Sequence, residues 1–388
     1  MNGTMEMCRA LLLACMSLAS CATTIEWQPL VVHRTHGSIE RIRCGRPDGT
    51  DAKLQAVSVD QAGDVALIQF DRDEPRAEIL YRNGAELTGL TIADVDPSAP
   101  GEEIYAGGYL PGGEGAERGG GVYQIVVTPS SSARAQVRQV YSGNAYVHSI
   151  ERVPPQRAGD PARLLISTYG GEIRLLTPSS SDAPWDNRLL FALPQSDDPE
   201  ANQAKDAAFL RSASGRPPHE VLVVFRSGRM LFLDLDRPES ARIVHEEPGG
   251  LARVTPDERE GAYVIGYTGR VLHFHRDGDG FRYDAIDDEG VDSGLRGIVR
   301  GRFPSPHGGV TQLALYGYHK QCRILHPKCI GLRADYTQMD ADTIYVDAER
   351  GHALEAADVV AGNDGDELLL GGASKQVTVL VAKHVREK

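Results

Sequence analysis

Hydrophobic residues along this chain fall into short runs broken by Gly, Pro, Asp and Ser, not at the three-to-four spacing of an amphipathic helix. Three stretches repeat one pattern in register: Leu164–Leu176, Val221–Leu233 and Tyr263–Phe274. Each holds an apolar strand, a tight Gly-bearing turn and a second alternating strand, which is the pattern of a β-hairpin. Weaker copies surround Ile104–Tyr109, Leu313–Leu325 and Leu368–Leu380, the first with its turn expanded by the Gly-rich segment 111–121. The most degenerate copy surrounds Val65–Phe70. The first strands of these units are expected near residues 54, 90, 147, 206, 251, 296 and 356. Repeats of this length suit one four-stranded blade each, so the pattern predicts an all-β chain folded as a single β-propeller of about seven blades.

Two units also carry a family resemblance. Ile92-Ala93-Asp94-Val95-Asp96 is followed by Gly101-Glu102-Glu103-Ile104-Tyr105-Ala106-Gly107-Gly108. Ala357-Asp358-Val359-Val360 is followed in the same frame by Gly365-Asp366-Glu367-Leu368-Leu369-Leu370-Gly371-Gly372. Both resemble the FG-GAP/VCBS propeller repeat, and His275–Phe281 resembles the ending of its blades. The resemblance implies calcium as a candidate ligand, because such repeats often hold it in an Asp-rich loop with oxygen ligands at alternate positions. Asp94 and Asp96 lack the third acid, and Asp364 and Asp366 are offset from the expected spacing. These four are the calcium candidates, and tight structural turns capped by Asp are the competing reading.

Ahead of the repeats, Arg9 precedes an apolar run that ends in Leu18-Ala19-Ser20-Cys21. The run is about 9 residues, well short of the ~20 needed to span a bilayer, and has the proportions of a signal-peptide core. Its last four residues resemble the lipobox of bacterial lipoproteins. That resemblance implies cleavage before Cys21 and acylation of Cys21 with diacylglycerol and a fatty acid such as palmitate. Ala22 in the next position, by the same resemblance, favours the outer membrane of a Gram-negative cell. The expected organisation is a signal peptide over 1–20, a lipidated N-terminus and short tether over 21–38, and the propeller over 39–388.

The formal net charge of −13 argues against nucleic acid as a partner. Of six cysteines, Cys8 and Cys15 leave with the signal and Cys21 is acylated, so Cys44, Cys322 and Cys329 remain. An oxidising compartment then suggests a Cys322–Cys329 disulfide closing a small loop. Zinc held by His319, Cys322, His326 and Cys329 is the alternative, at a spacing that matches no common zinc module.

Aligning the units places Phe70, Tyr109, Tyr169, Arg226, Tyr267, Tyr318 and Ala373 at one position, where the second strand meets its turn. In a propeller that turn shares a face with the chain leading into the innermost strand, which contributes His148, Lys205, Arg296 and Glu355. Tyr and Arg around a channel mouth form the kind of surface that recognition sites favour; strand-end aromatics packing on the next blade is the plainer account. No nucleophile elbow, phosphate-binding loop, metalloprotease helix or dinucleotide fingerprint occurs. The sequence therefore points to a membrane-anchored binding or scaffold propeller, with an envelope protein or glycan as partner and no cofactor. A lyase- or hydrolase-like enzyme with its site at the channel mouth, and a calcium-dependent glycan-binding propeller, are the alternatives.

Overall fold

The computed structural model describes residues 23–386, apart from positions 100, 195 and 199 and the segments 50–53, 71–73, 113–118, 129–133, 158–159, 180–183, 213–215, 305–311, 331–332 and 361–364. The chain forms seven four-stranded antiparallel sheets, as the repeats predict. They are arranged as the blades of a propeller, each innermost strand contacting the innermost strands on either side. From blade 1 to blade 7 the innermost strands are Ile39–Gly45, Leu87–Ala93, Val147–Val153, Ala204–Phe209, Leu251–Pro256, Leu295–Gly301 and Gly351–Ala357. Six blades are continuous in sequence. The seventh takes its outermost strand from Thr23–Arg34, which pairs antiparallel with Gln376–Arg386 and so joins the two ends of the described chain.

Packing between blades explains why the hairpins are readable. Middle strands such as Glu220–Phe225 are buried on both faces, because every sheet is covered by a blade on each side. Seven apolar clusters result, each shared by neighbouring blades; one joins Leu165 and Ile173 of blade 3 to Val221, Val223 and Phe225 of blade 4. Between blades 2 and 3 the ring of Trp185 is fully buried 5.6 Å from that of Tyr105. Side chains of this size contribute roughly 1.5–3 kcal/mol each on burial.

The recurring Gly of the second turn has a conformational cause. Gly171, Gly228 and Gly269 close turns with φ of +78°, +91° and +87°, a region that costs a Cβ-bearing residue more than Gly. Lys320 and Lys375 occupy the same place in blades 6 and 7 at φ +69° and +58°, which is why those copies look weaker in sequence.

Three expectations need correction. Thr23–Arg34 is a strand of blade 7, not part of a tether over 21–38. Blade 1 begins at Ile39, not near residue 54; Gln55–Asp60 is its second strand and Asp64–Gln69 its third. Finally, Cys322 and Cys329 both lie on the long strand Gln321–Ile330 and do not form the expected disulfide. Seven residues of extended chain separate them by ~23 Å, whereas a disulfide tolerates at most ~7 Å between Cα atoms. Cys322 is instead a free thiol in the core of blades 6 and 7, its pKa pushed up by burial. Cys21 and Asp364 lie outside the described residues.

Candidate functional site

One backbone device repeats in all seven blades. At the second residue of each innermost strand the pairing register slips, leaving Glu40, Thr88, His148, Lys205, Ala252, Arg296 and His352 as bulged residues. A bulge re-aims its side chain and bends the strand. In this propeller Glu40, His148, Lys205, Arg296 and His352 line a cavity of about 320 Å³ at the mouth of the central channel.

A second repeating contact fixes the rim. In every blade the residue at or just after the end of the second strand donates its backbone N–H to the carbonyl just before the innermost strand. The pairs are Gln61 to Ser38, Tyr109 to Glu86, Tyr169 to Tyr146, Arg226 to Gln203, Tyr267 to Gly250, Tyr318 to Gly294 and Ala373 to Arg350. Six of the seven expected rim positions therefore stand together. Phe70 does not: it follows the third strand of blade 1 on the opposite face, buried against blade 7, and Gln61 holds its place. Glu355 likewise lies deeper in the channel, while His352 takes the mouth position in blade 7.

Rings and cations interleave around this rim. Tyr146 packs against Tyr109 at 4.1 Å and Tyr169 at 4.6 Å, and His148 stacks on Tyr169 at 5.1 Å between ring centres. Lys205 Nζ donates to the Tyr169 hydroxyl at 2.7 Å. Arg296 lies between the rings of Tyr267 and Tyr318, at 4.1 and 4.3 Å from their centres, and donates to the Tyr318 hydroxyl at 2.6 Å. Arg226 is farther out, 5.1 Å from the Tyr267 ring and paired with Glu200.

The mouth is locally cationic although the chain is acidic. Its carboxylates are engaged: Glu40 accepts from His352 and Gln61, and Glu86 from Tyr146. Lys205, Arg253 and Arg296 donate instead to neutral oxygens, Arg253 using the carbonyls of Lys205 and Ala252. Buried Nε of Arg296 and Nδ1 of His148 have no hydrogen-bond partner among the described residues.

Burial and crowding of like charges govern protonation here. Burial, followed by Arg253, Arg296 and Arg226, holds Lys205 well below the usual lysine range. Burial and the charges of Lys205, Arg253 and Arg41 do the same to His148, leaving it a neutral imidazole. Arg253 is pushed down to about 10 by burial and by Arg41. For Glu40 burial works upward, but the His352 hydrogen bond and nearby cations outweigh it and keep the carboxyl below its ordinary value.

Below the mouth the channel is crossed by ion pairs. Arg41 of blade 1 meets Asp206 of blade 4 at 3.0 Å, and Arg43 meets Glu355 at 2.9 Å and Glu151 at 3.7 Å. They border a second cavity of about 350 Å³ and close the floor beneath the first.

Where they are described, the Asp-rich segments are bends held by hydrogen bonds. One carboxylate oxygen of Glu103 accepts the backbone N–H groups of Val95 and Asp96, each at 3.1 Å. Glu367 repeats this with Val359 at 2.8 Å and Val360 at 3.1 Å. The Asp-Glu of the repeat is thus a clamp on the preceding bend. Asp96 is occupied by Ser98, Gln124 and Arg138, and Asp366 accepts the N–H of Arg302. Among the described residues, the cluster with metal-ligand spacing is His219, Asp234 and Asp236, which includes none of Asp94, Asp96 and Asp366.

No protein-family model matches the chain, and no curated protein matches it. Solved structures do resemble it. The WD40 β-propeller domain of Doa1 aligns with a TM-score of 0.59 at 10% identity, over 92% of this chain and 97% of that one. Virginiamycin B lyase from Staphylococcus aureus aligns with a TM-score of 0.60 at 11% identity, over 92% and 99%. BBS1N, seen in complex with ARL6DN, aligns with a TM-score of 0.55 at 12% identity, over 92% and 96%. At such identities the likeness establishes the propeller fold, which does not choose between binding and catalysis.

Proposed function

We propose that this chain is a cell-envelope propeller, exported and held at a membrane by a lipid on Cys21, which draws an anionic group of its ligand into the channel mouth. One observation carries the ligand reading. Lys205, Arg253 and Arg296 converge on a cavity whose carboxylates already have partners, with the Arg296 Nε unused. A carboxylate or phosphate supplies the missing acceptor, and charge-assisted bonds to Arg and Lys are among the stronger polar contacts. The ion pairs beneath keep such a ligand at the mouth.

Calorimetric titration with oxalate, phosphate, glucuronate and neutral glucose tests this. Binding of the anions but not glucose, weakened in Arg296→Met, is expected; equal indifference to all four would overturn it. The anchor is tested separately, by Cys21→Ser: loss of fatty-acid labelling and release from the membrane fraction are expected. An enzymatic reading is favoured by one contact, that of Lys205 with Tyr169.

A further inference from the structure

Lys205 differs from the lysines that project from turns and strand ends. Lys375 and Lys383 are exposed and Lys320 is half-buried on its turn, whereas Lys205 is 5% exposed and borders the mouth cavity. Its described hydrogen-bond partner is a phenol, not a carboxylate, and Nζ lies 4.5 Å from the centre of that same Tyr169 ring. Arg296 lines the same cavity, its buried Nε without a hydrogen-bond partner among the described residues, and His148 stacks on the Tyr169 ring. An amine in this setting, short of counter-charge and beside an anion receptor, is arranged as a nucleophile.

We infer that Lys205 condenses reversibly with the carbonyl carbon of a small 2-oxo acid whose carboxylate is held by Arg296. This rests on the anion-capturing reading above. The Nζ lone pair adds to the carbonyl carbon, forming the C–N bond as the carbonyl π pair moves to oxygen. That oxygen takes a proton from the Tyr169 hydroxyl, and the nitrogen returns one to Tyr169, giving a neutral carbinolamine. The hydroxyl then takes the Tyr169 proton and leaves as water while the nitrogen lone pair forms C=N, and the iminium N–H returns a proton to Tyr169. Amine and carbonyl become imine and water, with no oxidant or reductant. Burial favours the free amine needed at the start and keeps Tyr169 protonated.

The test treats the full chain at neutral pH with glyoxylate and sodium cyanoborohydride, which traps an imine as a stable secondary amine, and maps the lysines by peptide mass spectrometry. Labelling at Lys205 should outrun that at Lys320, Lys375 and Lys383 by at least about tenfold, because burial favours its free amine. Arg296→Met should slow glyoxylate but not neutral propionaldehyde, and Tyr169→Phe should slow both. Labelling spread over the surface lysines in proportion to their exposure would overturn the inference. Oxalate, which binds as an anion but forms no imine, separates the two readings. Oxalate bound without selective reaction at Lys205 defeats this inference alone, whereas selective reaction without oxalate binding defeats the anion-receptor reading.

Discussion

The guanidinium of Arg41 and the carboxylate of Asp206 meet at 3.0 Å across the channel axis, from positions 165 residues apart in sequence. Their side chains are 5% and 6% exposed, and Asp206 also accepts the N–H of Val254 from blade 5. Asp206→Asn strands a buried charge, and breaking such a pair typically costs about 3–5 kcal/mol. The double replacement Arg41→Met with Asp206→Asn is expected to cost less than those two single losses added together. Urea unfolding of the four proteins measures the difference.

The glutamate clamps make a second prediction. Glu103 and Glu367 are fully buried, and each accepts two backbone N–H groups. Glu103→Ala or Glu367→Ala should lose roughly 1–3 kcal/mol for each donor left without water or partner. The Gln variants keep a carbonyl oxygen and should lose less. Added calcium should rescue neither, because the clamp satisfies backbone donors without a cation; chemical denaturation with and without calcium checks this.

Glu151 predicts a pH dependence. Burial pushes its carboxyl up to about 7 from an ordinary 4.5, with Arg43 opposing. A carboxyl raised in the folded state contributes stability that is complete below its unfolded value and disappears as pH rises through the folded value. The loss attributable to Glu151 therefore develops between about pH 4.5 and pH 7. Glu151→Gln should melt a few degrees above the parent at pH 8 and close to it at pH 4.5, in calorimetric scans.

Ligand capture should be coupled to protons. An anion beside Lys205 and His148 stabilises their charged forms, raising pKa values that burial and neighbouring cations now depress. Binding is expected to take up protons and to tighten as pH falls from about 9 towards 6. Calorimetry in two buffers of different ionisation heat reads the uptake directly. In Lys205→Met the uptake should diminish.

How far the sequence foretold this molecule varies residue by residue. Blades 3, 4 and 5 were legible because Leu164–Leu176, Val221–Leu233 and Tyr263–Phe274 pack on both faces and so read as apolar runs. Blade 1 was obscured for the opposite reason. Ile39–Gly45 carries Glu40, Arg41 and Arg43 towards the channel, so this strand, though expected within the propeller, does not match the first strands of the other units. Starting the first unit near residue 54 moved the alignment by one strand and put Phe70 where Gln61 belongs. The bulges were invisible because a register slip depends on the partner strand; hence His148, Lys205 and Arg296 were found while Glu40 and His352 were missed. Cys322 and Cys329 suggested a small loop only because the strand they share is unusually long.

The strand that closes blade 7 has a direction as well as a place. Its Arg34 end pairs with Gln376 beside the mouth-facing turn, where the N–H of Thr35 reaches the carbonyl of Lys375. Its Thr23 end pairs with Arg386 on the opposite face. With the proposed lipid on Cys21, two residues earlier, that opposite face would rest on the bilayer. Twelve residues of strand then set the mouth ~40 Å above the lipid. The receptor would be mounted like a cup on its base, filling from the aqueous compartment and not from the membrane beneath it.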